Sequence, residues 1–161
     1  MKFDYNKSEL VETLLERLGS VLECMTASAE NARQASVEAP GAMQSRYDSS
    51  KEEQGYLADA CNIISHQMKR ELSGMRFIEL PKNPSFVATG CLVRVEDDLG
   101  IEDYLILPYT GGEIIETEKG EVIVMTPNAP FAQAMLGLQK GDLGSYATDG
   151  NTVGFKIVDL I

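Results

Sequence analysis

The feature that most constrains the fold is a pair of apolar repeats on either side of a proline–glycine turn. In the first repeat, apolar or small residues alternate in steps of three and four, at Val11, Leu14, Leu18, Val21, Met25, Ser28, Ala32 and Ala35. The second repeat continues the alternation at Leu57, Cys61, Ile64, Met68, Leu72 and Met75. This is the heptad spacing of a helix that packs against another helix.

Residues 38–41, Glu-Ala-Pro-Gly, lie between the two repeats. The residue before a proline is disfavoured in a helix and glycine favours a turn, so this segment predicts the tip of a hairpin. Ser49 and Ser50 each precede a glutamate at capping-box spacing, which places the start of the second helix near them. We expect antiparallel helices over residues 8–36 and 45–73, with Leu18 packed near Ile64.

After Gly74 the sequence changes to short β-type runs separated by glycine-containing turns. The runs cover residues 77–80, 91–95, 104–107, 122–125 and 153–158. One helix interrupts them, with Asn128 as candidate N-cap, Pro130 in its first turn and Gly137 near its end. Its inner face is expected at Phe131, Ala134, Met135 and Leu138.

The second part is therefore expected to be a small antiparallel sheet crossed by one helix. We expect Phe155 and Ile157 to be buried on one face of it, with Leu136 packed beneath the helix. The whole chain is predicted to have an α+β fold, with a coiled-coil hairpin in residues 1–75 and a β domain in residues 76–161.

The net charge of −11 disfavours autonomous binding to nucleic acid. Residues 1–75 hold 8 basic and 12 acidic residues, and residues 76–161 hold 6 basic and 13 acidic residues, so neither part is basic. Binding to a phosphate backbone depends on clustered Lys and Arg. A partner with a basic surface or a cation-collecting channel fits this chain better.

Cys24, Cys61 and Cys91 are odd in number and never form a Cys-x-x-Cys pair. This argues against a disulfide framework and against a zinc ribbon, and predicts reduced, half-buried thiols. The chain has no run of about 18 apolar residues and no apolar N-terminal stretch of signal-peptide type. We therefore expect a cytoplasmic protein with no membrane partner.

Other candidate motifs are interpreted structurally. His66 has no Ser, Cys or Asp partner at a recognisable spacing, so a partly buried helix residue is favoured over a catalytic one. The acidic runs 96–98 and 116–121 lack the ligand spacing of a calcium loop and are interpreted as solvated turns. Catalytic residues and a metal site of the chain's own are not predicted.

Two stretches resemble the Gre transcription elongation factors, a family of the GreA/GreB type. The more specific one is Asn128-Ala129-Pro130-Phe131-Ala132-Gln133-Ala134-Met135-Leu136-Gly137, followed by Lys140-Gly141-Asp142 and a last strand over residues 153–161. The other is Tyr47 with Lys51-Glu52-Glu53-Gln54. The two occur in the family's order and span both parts of the chain.

The resemblance implies a hairpin that enters the secondary channel of bacterial RNA polymerase and a second domain of FKBP-like fold at the channel rim. It implies an accessory factor, not an enzyme, whose partner is RNA polymerase and which has no cofactor of its own. Any Mg²⁺ at the tip would be shared with the polymerase, where acidic tip residues of the family help to hold it during transcript cleavage.

The tip of this chain departs from the family pattern. Ala42 and the Gln44-Ser45 pair stand where the family's tip carboxylates are expected, and Arg46 opposes capture of a cation nearby. The remaining tip candidates are Glu38, Pro40, Gly41, Tyr47 and Asp48. A regulator with weak or no cleavage stimulation is therefore expected.

Three alternatives stay open. Asp48 could take the place of the missing carboxylates in an orthodox cleavage factor, although a carboxylate at the start of a helix is also favoured by the helix dipole. The second domain could be an FKBP-type prolyl isomerase, which rests on fold analogy alone. The hairpin could also be a structural adaptor without a polymerase role, whereas a DksA-type regulator would need a cysteine zinc site.

Overall fold

The computed structural model describes residues 3–38 and 50–161. The chain divides into two compact units, of which one is Leu15–Ser73 and the other joins Met1–Leu14 to Gly74–Ile161. The elements in chain order are α1 (Lys7–Glu38), α2 (Ser50–Met75), β1 (Leu92–Asp97), β2 (Gly100–Ile106), β3 (Ile114–Thr117), β4 (Gly120–Met125), α3 (Pro130–Met135), β5 (Leu143–Thr148) and β6 (Asn151–Leu160).

The unit Leu15–Ser73 is an antiparallel helical hairpin, as predicted. A side-chain carbon added at Gly55 of α2 would lie 3.5 Å from Oγ of Ser36 on α1. Farther from the tip, Cys61 of α2 shares a groove with Cys24 and Met25 of α1. The last turns of α1 therefore contact the first turns of α2, and earlier residues of α1 contact later residues of α2. This order of contacts shows that the two helices are antiparallel.

The contact seam between the two helices has the predicted heptad rhythm but different members. On α1 the buried or half-buried positions that keep this rhythm are Leu18, Leu22, Met25, Ala29, Ala32 and Ser36. On α2 they are Gln54, Ala58, Cys61, Ser65, Met68 and Leu72. Both sets alternate in steps of four and three, which keeps each set on one helix face. On α1 the seam changes from large to small side chains toward the tip.

The predicted contact between Leu18 and Ile64 is wrong. Because Ser36 lies at the level of Gly55 and the helices are antiparallel, Leu18 lies opposite Leu72. Ile64 is roughly 12 Å from Leu72 along the helix axis, at about 1.5 Å per residue. Ile64 is 44% exposed, whereas Leu72 is 8% exposed. The apolar residues Leu57 and Ile64 lie beside the seam, and the smaller Ala58 and Ser65 lie in it.

The second unit contains a six-stranded sheet in the order β3-β4-β2-β1-β6-β5. Four strand pairings are antiparallel, as predicted, and β2 pairs with β4 in parallel. The sheet is therefore mixed. The predicted strands at residues 91–95, 104–107, 122–125 and 153–158 correspond to β1, β2, β4 and β6.

Two strands were missed and one was predicted wrongly. β3 is only four residues long and β5 has a single β-branched residue, Thr148, and both strands lie at the edges of the sheet. Residues 77–80 form no strand: the amide of Phe77 donates to the Gly74 carbonyl in a turn that follows α2. Phe77 is 85% exposed, so its aromatic character misled the prediction.

One face of the sheet packs against α3. The buried cluster there includes Phe155 and Ile157, at 3% and 0% exposure, which confirms the prediction for both. The prediction for Leu136 is wrong: Leu136 is 36% exposed, and the fully buried residues of α3 are Ala132 and Met135. The cause is that Leu136 has already left helical geometry, at φ −55° and ψ 129°.

The opposite face of the sheet is also buried near its middle. Leu92 and Leu105 are paired across β1 and β2 and are 0% exposed, and alternation along a strand points them away from α3. Leu10 and Leu14 of the first turns of α1, in the same unit, are 5% and 0% exposed. In residues 3–38 and 50–161, none of the helices has the length and apolarity that are needed to cross a membrane.

Candidate functional site

The predicted tip site lies mostly outside the described residues. Pro40, Gly41, Gln44, Arg46, Tyr47 and Asp48 belong to the segment 39–49, which the structure does not describe. Glu38 is described. It is the last residue of α1 and is exposed, and the Gln34 amide Nε2 donates to its Oε1 at 3.1 Å.

Glu38 has an unfavourable position for helix stability. The C-terminal end of a helix carries a partial negative charge, so a carboxylate there is repelled. On the other side of the undescribed segment, Glu52 and Glu53 lie in the first turn of α2, where the dipole favours them. The helix dipole therefore explains why glutamates are favourable at Glu52 and Glu53, but it gives no reason for a glutamate at Glu38.

A shared Mg²⁺ would find few ligands here. In residues 3–38 and 50–161, no group of three or more His, Cys, Asp or Glu side chains could hold a metal ion. Of the predicted tip residues, the described part contributes one carboxylate, Glu38. Because Mg²⁺ needs several oxygen ligands in octahedral arrangement, the described donor set does not fit a metal site.

His66 is exposed, so the prediction of partial burial is wrong. It lines a shallow groove on α2 with Lys69, Arg70 and Ser73. These residues recur at helical spacing and concentrate positive charge in the second half of α2. Sequence reasoning considered His66 alone and missed this grouping, which the spacing of 66, 69, 70 and 73 could have revealed.

The second unit holds a polar cluster that the sequence analysis also missed. Nε and Nη2 of Arg94 on β1 each donate to a carboxylate oxygen of Asp103 on β2 at 2.7 Å. The Tyr5 hydroxyl donates to Asp103 Oδ2 at 2.9 Å. The guanidinium of Arg94 also lies 4.7 Å from the ring centre of Phe3. This cluster ties the N-terminal segment to the sheet.

The electrostatics of the cluster follow from these contacts. Hydrogen bonding to Asp103 raises the pKa of Arg94, so this guanidinium stays charged. Burial is the largest cause that raises the pKa of Tyr5, followed by its hydrogen bond to Asp103. Nearby, Lys7 donates to the carbonyls of Pro81 and Gly90, and burial lowers its pKa. Asp103, with 7% of its side chain exposed, has its charge compensated.

A cleft of about 720 Å³ adjoins this cluster within the same unit. Tyr5, Asn6, Glu9, Leu10 and Thr13 line one side and residues 115–119 line the other. Its charged lining residues are three glutamates and Lys119, whose ammonium donates to the Asp4 carbonyl. The cleft offers no arrangement of nucleophile and base for catalysis.

The isomerase alternative depends on an aromatic site in the second unit. Phe131 lies 5.0 Å from Tyr104, 4.5 Å from Tyr146 and 5.0 Å from Phe155, measured between ring centres. The rings pack on one another and Phe155 is 3% exposed, so these aromatic side chains belong to the core of the unit.

The three cysteines are free thiols. Cys24 is exposed, Cys61 is half-buried and Cys91 is buried, so half-burial is correct for Cys61 alone. Burial raises the pKa of Cys91 and disfavours its reactive thiolate form.

No family model matches the chain, and no curated protein matches it. Solved structures similar to it include one of the transcription factor Gfh1, at 20% identity over 94% of this chain and 91% of that chain, with a TM-score of 0.39. Gfh1 of Thermus aquaticus is 18% identical over 90% of this chain and 92% of that chain, with a TM-score of 0.39. The prokaryotic transcription elongation factor GreA/GreB from Nitrosomonas europaea is 17% identical over 58% of this chain and 78% of that chain, with a TM-score of 0.34.

Proposed function

We propose that this protein is an accessory factor of bacterial RNA polymerase that places its hairpin in the secondary channel and regulates elongation, with weak or no stimulation of transcript cleavage. The motifs at residues 47–54 and 128–161 support the polymerase as partner. The reaction, where one occurs, belongs to the polymerase.

The observation that carries the proposal is the narrowing seam of the hairpin. Ala29, Ala32 and Ala58 are 4–5% exposed, so small side chains separate the two helices in the half nearer the tip. The distance between packed helices is set by the side chains at their contact, and small ones permit the lower end of the usual range of about 8–10 Å. A slender arm of this kind suits entry into a narrow channel.

The weakness in cleavage follows from the tip composition. Residues 39–49 contain a single carboxylate, Asp48, and also contain Arg46. With Glu38 held by Gln34, the chain offers two separated carboxylates and a nearby positive charge. This set is poorly suited to hold a divalent cation, so binding to polymerase and stimulation of cleavage should be separable.

The test uses a stalled elongation complex with backtracked RNA, analysed by gel for short cleavage products. The protein should displace a cleavage-competent Gre factor from the polymerase while adding little cleavage of its own. Ala42→Asp combined with Ser45→Glu supplies oxygen ligands and should raise cleavage. Asp98→Asn, which removes an exposed carboxylate of the other unit, is the control.

Two results decide against the proposal. If the protein does not compete for polymerase even at low salt, the adaptor interpretation is favoured. If the wild-type protein cleaves strongly and Asp48→Asn abolishes that activity, the protein is an orthodox cleavage factor that uses Asp48.

A further inference from the structure

The side of α2 turned away from the seam carries a second heptad stripe. Its positions step by four and three, and we call them the outer stripe: Glu52, Tyr56, Asp59, Ile63, His66 and Arg70. None of them belongs to the seam, and all are exposed. The outer stripe therefore has the spacing of a helix-packing surface without taking part in the hairpin.

Two large apolar side chains lie near the centre of the outer stripe, on either side of Asp59. Tyr56 is 73% exposed and Ile63 is 69% exposed, and the small Ala60 lies between them. A hairpin of two helices does not need large apolar side chains on its outer side. Apolar side chains grouped on an exposed face commonly mark a contact with another protein.

The charges of the outer stripe are separated along the helix. The first half carries Glu52 and Asp59, and the second half carries Arg70 with His66 and the adjacent Lys69. Among the residues that the structure describes, none of the side chains of Glu52, Asp59, Lys69 and Arg70 forms an ion pair. These four charges are therefore available to a partner.

We propose that α2 pairs in antiparallel orientation with α2 of a second copy of this chain, around a two-fold axis near Ile63. Such an axis places the acidic first half of one helix against the basic second half of the other, and does so twice. A parallel pair would instead place like charges together. In an isologous contact each surface must complement itself, which this order of charges satisfies.

Other occupants fit the stripe less well. The stripe with the adjacent Lys69 offers a nucleic acid one lysine, one arginine and two carboxylates, in a chain of net charge −11. This set does not favour binding to a phosphate backbone. A helix from a different protein would not require acidic and basic halves of equal extent. The pairing of two hairpins would form a four-helix arrangement, and it does not depend on the proposed polymerase role.

The test is sedimentation velocity of the full-length protein over a concentration series. The wild-type protein should form a dimer. Glu52→Lys with Asp59→Lys makes both halves basic, and Lys69→Glu with Arg70→Glu makes both halves acidic. Each double variant should weaken dimerisation by about tenfold or more, because the pairings across the axis become repulsive.

A mixture of the two double variants is the decisive sample. The basic variant should form a heterodimer with the acidic one, because both pairings across the axis become attractive again. Recovery in the mixture also shows that each variant is folded. Lys82→Glu, which reverses an exposed cation of the other unit, is the matched control and should dimerise like the wild-type protein.

Each of three results would overturn the proposal. The first is a wild-type protein that is monomeric at every concentration, which leaves a foreign helix as the occupant. The second is dimerisation that both double variants retain. The third is a mixture that behaves as the sum of its two components.

Discussion

Ser65 is the residue at which the hairpin departs most from good packing. It lies in the seam at 4% exposure, and its hydroxyl has no hydrogen-bond partner in the described part of the chain. By the register of the seam it lies at the level of Met25, which offers a thioether and no strong acceptor. A buried hydroxyl without a partner destabilises the folded state.

Ser65→Ala should therefore stabilise the hairpin. We expect the free energy of unfolding to rise by about 1 kcal/mol, from removal of the unpaired hydroxyl and from the higher helix propensity of alanine. Urea unfolding followed by circular dichroism at 222 nm measures the change. Ser73→Ala, on the exposed side of the same helix, isolates the propensity contribution and should give the smaller gain. An equal gain in both variants would show that the hydroxyl of Ser65 is satisfied in solution.

Tyr5 predicts a dependence of stability on alkaline pH. Its pKa is raised above the ordinary tyrosine value of 10.0 in the folded state, so the folded protein keeps the phenol proton to higher pH than the unfolded chain does. The contribution of Tyr5 is therefore fully present below pH 10.0 and is lost as pH rises through the folded pKa. At neutral pH, Tyr5→Phe should cost about 1 kcal/mol for the lost hydrogen bond to Asp103.

The measurement is the difference in unfolding free energy between the wild-type protein and Tyr5→Phe from pH 7 to pH 11. Taking the difference removes the contribution of Lys7, whose lowered pKa acts in the opposite direction. The difference should shrink above pH 10.0. A difference that stays constant over the whole range would mean that Tyr5 does not contact Asp103.

At the scale of elements, the sequence predicted the helices and the central strands but not the seam. Heptad spacing correctly indicated two paired helices. It favoured Leu57 and Ile64 because they are the most apolar residues, whereas the hairpin buries Ala58 and Ser65 beside them. Small residues allow the two helices to approach more closely, and the stabilisation from that packing depends on the residues of the partner helix. The periodic pattern of one helix alone carries no information about them.

The strands show the same limit. β1, β2, β4 and β6 are rich in β-branched or aromatic residues, and their positions were predicted correctly. β5 begins with Leu143 at 76% exposure and continues with Gly144, and it is held as a strand by pairing with β6. Its strand geometry comes from a tertiary contact, so local propensity did not indicate it.

Phe155 of β6 is the central residue of the cluster under α3. Gly144 on β5 leaves space for its ring, because a side-chain carbon there would lie 2.3 Å from Cζ of Phe155. Phe155→Ala should cost about 3–5 kcal/mol in the free energy of unfolding, as expected for removal of a buried aromatic side chain.

Denaturant unfolding measures that loss, and Leu143→Ala on the neighbouring strand is its control. Leu143 is 76% exposed, so its truncation should change the free energy by less than about 0.5 kcal/mol. A loss below about 1 kcal/mol for Phe155→Ala would contradict the assignment of Phe155 to the core.

At the scale of the whole molecule, the sequence led to a prediction of the partner but not to the contacts that organise the fold. The charge distribution argued against nucleic acid, and the motifs pointed to the polymerase. The cluster of Tyr5, Arg94 and Asp103 was not predictable, because Tyr5 and Asp103 are 98 residues apart in the chain. Of the predicted tip site, Glu38 can be placed, and the roles of the remaining tip residues stay predictions.

The last prediction links the two proposals. If α2 pairs with a second copy and the hairpin also enters a polymerase channel, the two states draw on the same monomer. Pairing of α2 then lowers the concentration of the monomer, which is the form that binds polymerase. The apparent affinity for polymerase therefore falls in proportion to the fraction of the protein that is monomeric. The variant Lys69→Glu with Arg70→Glu changes residues in the half of α2 away from the tip, so its binding to polymerase should persist.

Fluorescence anisotropy with labelled Lys69→Glu, Arg70→Glu protein and core RNA polymerase measures this competition. Addition of the Glu52→Lys, Asp59→Lys variant should weaken polymerase binding by the labelled protein in proportion to heterodimer formation. Lys82→Glu, added in its place, has no complementary stripe for the labelled protein and should compete only by its own binding to polymerase. If the heterodimer forms in sedimentation and polymerase binding is unchanged, the outer stripe stays accessible on the bound hairpin, and dimerisation does not regulate entry into the channel.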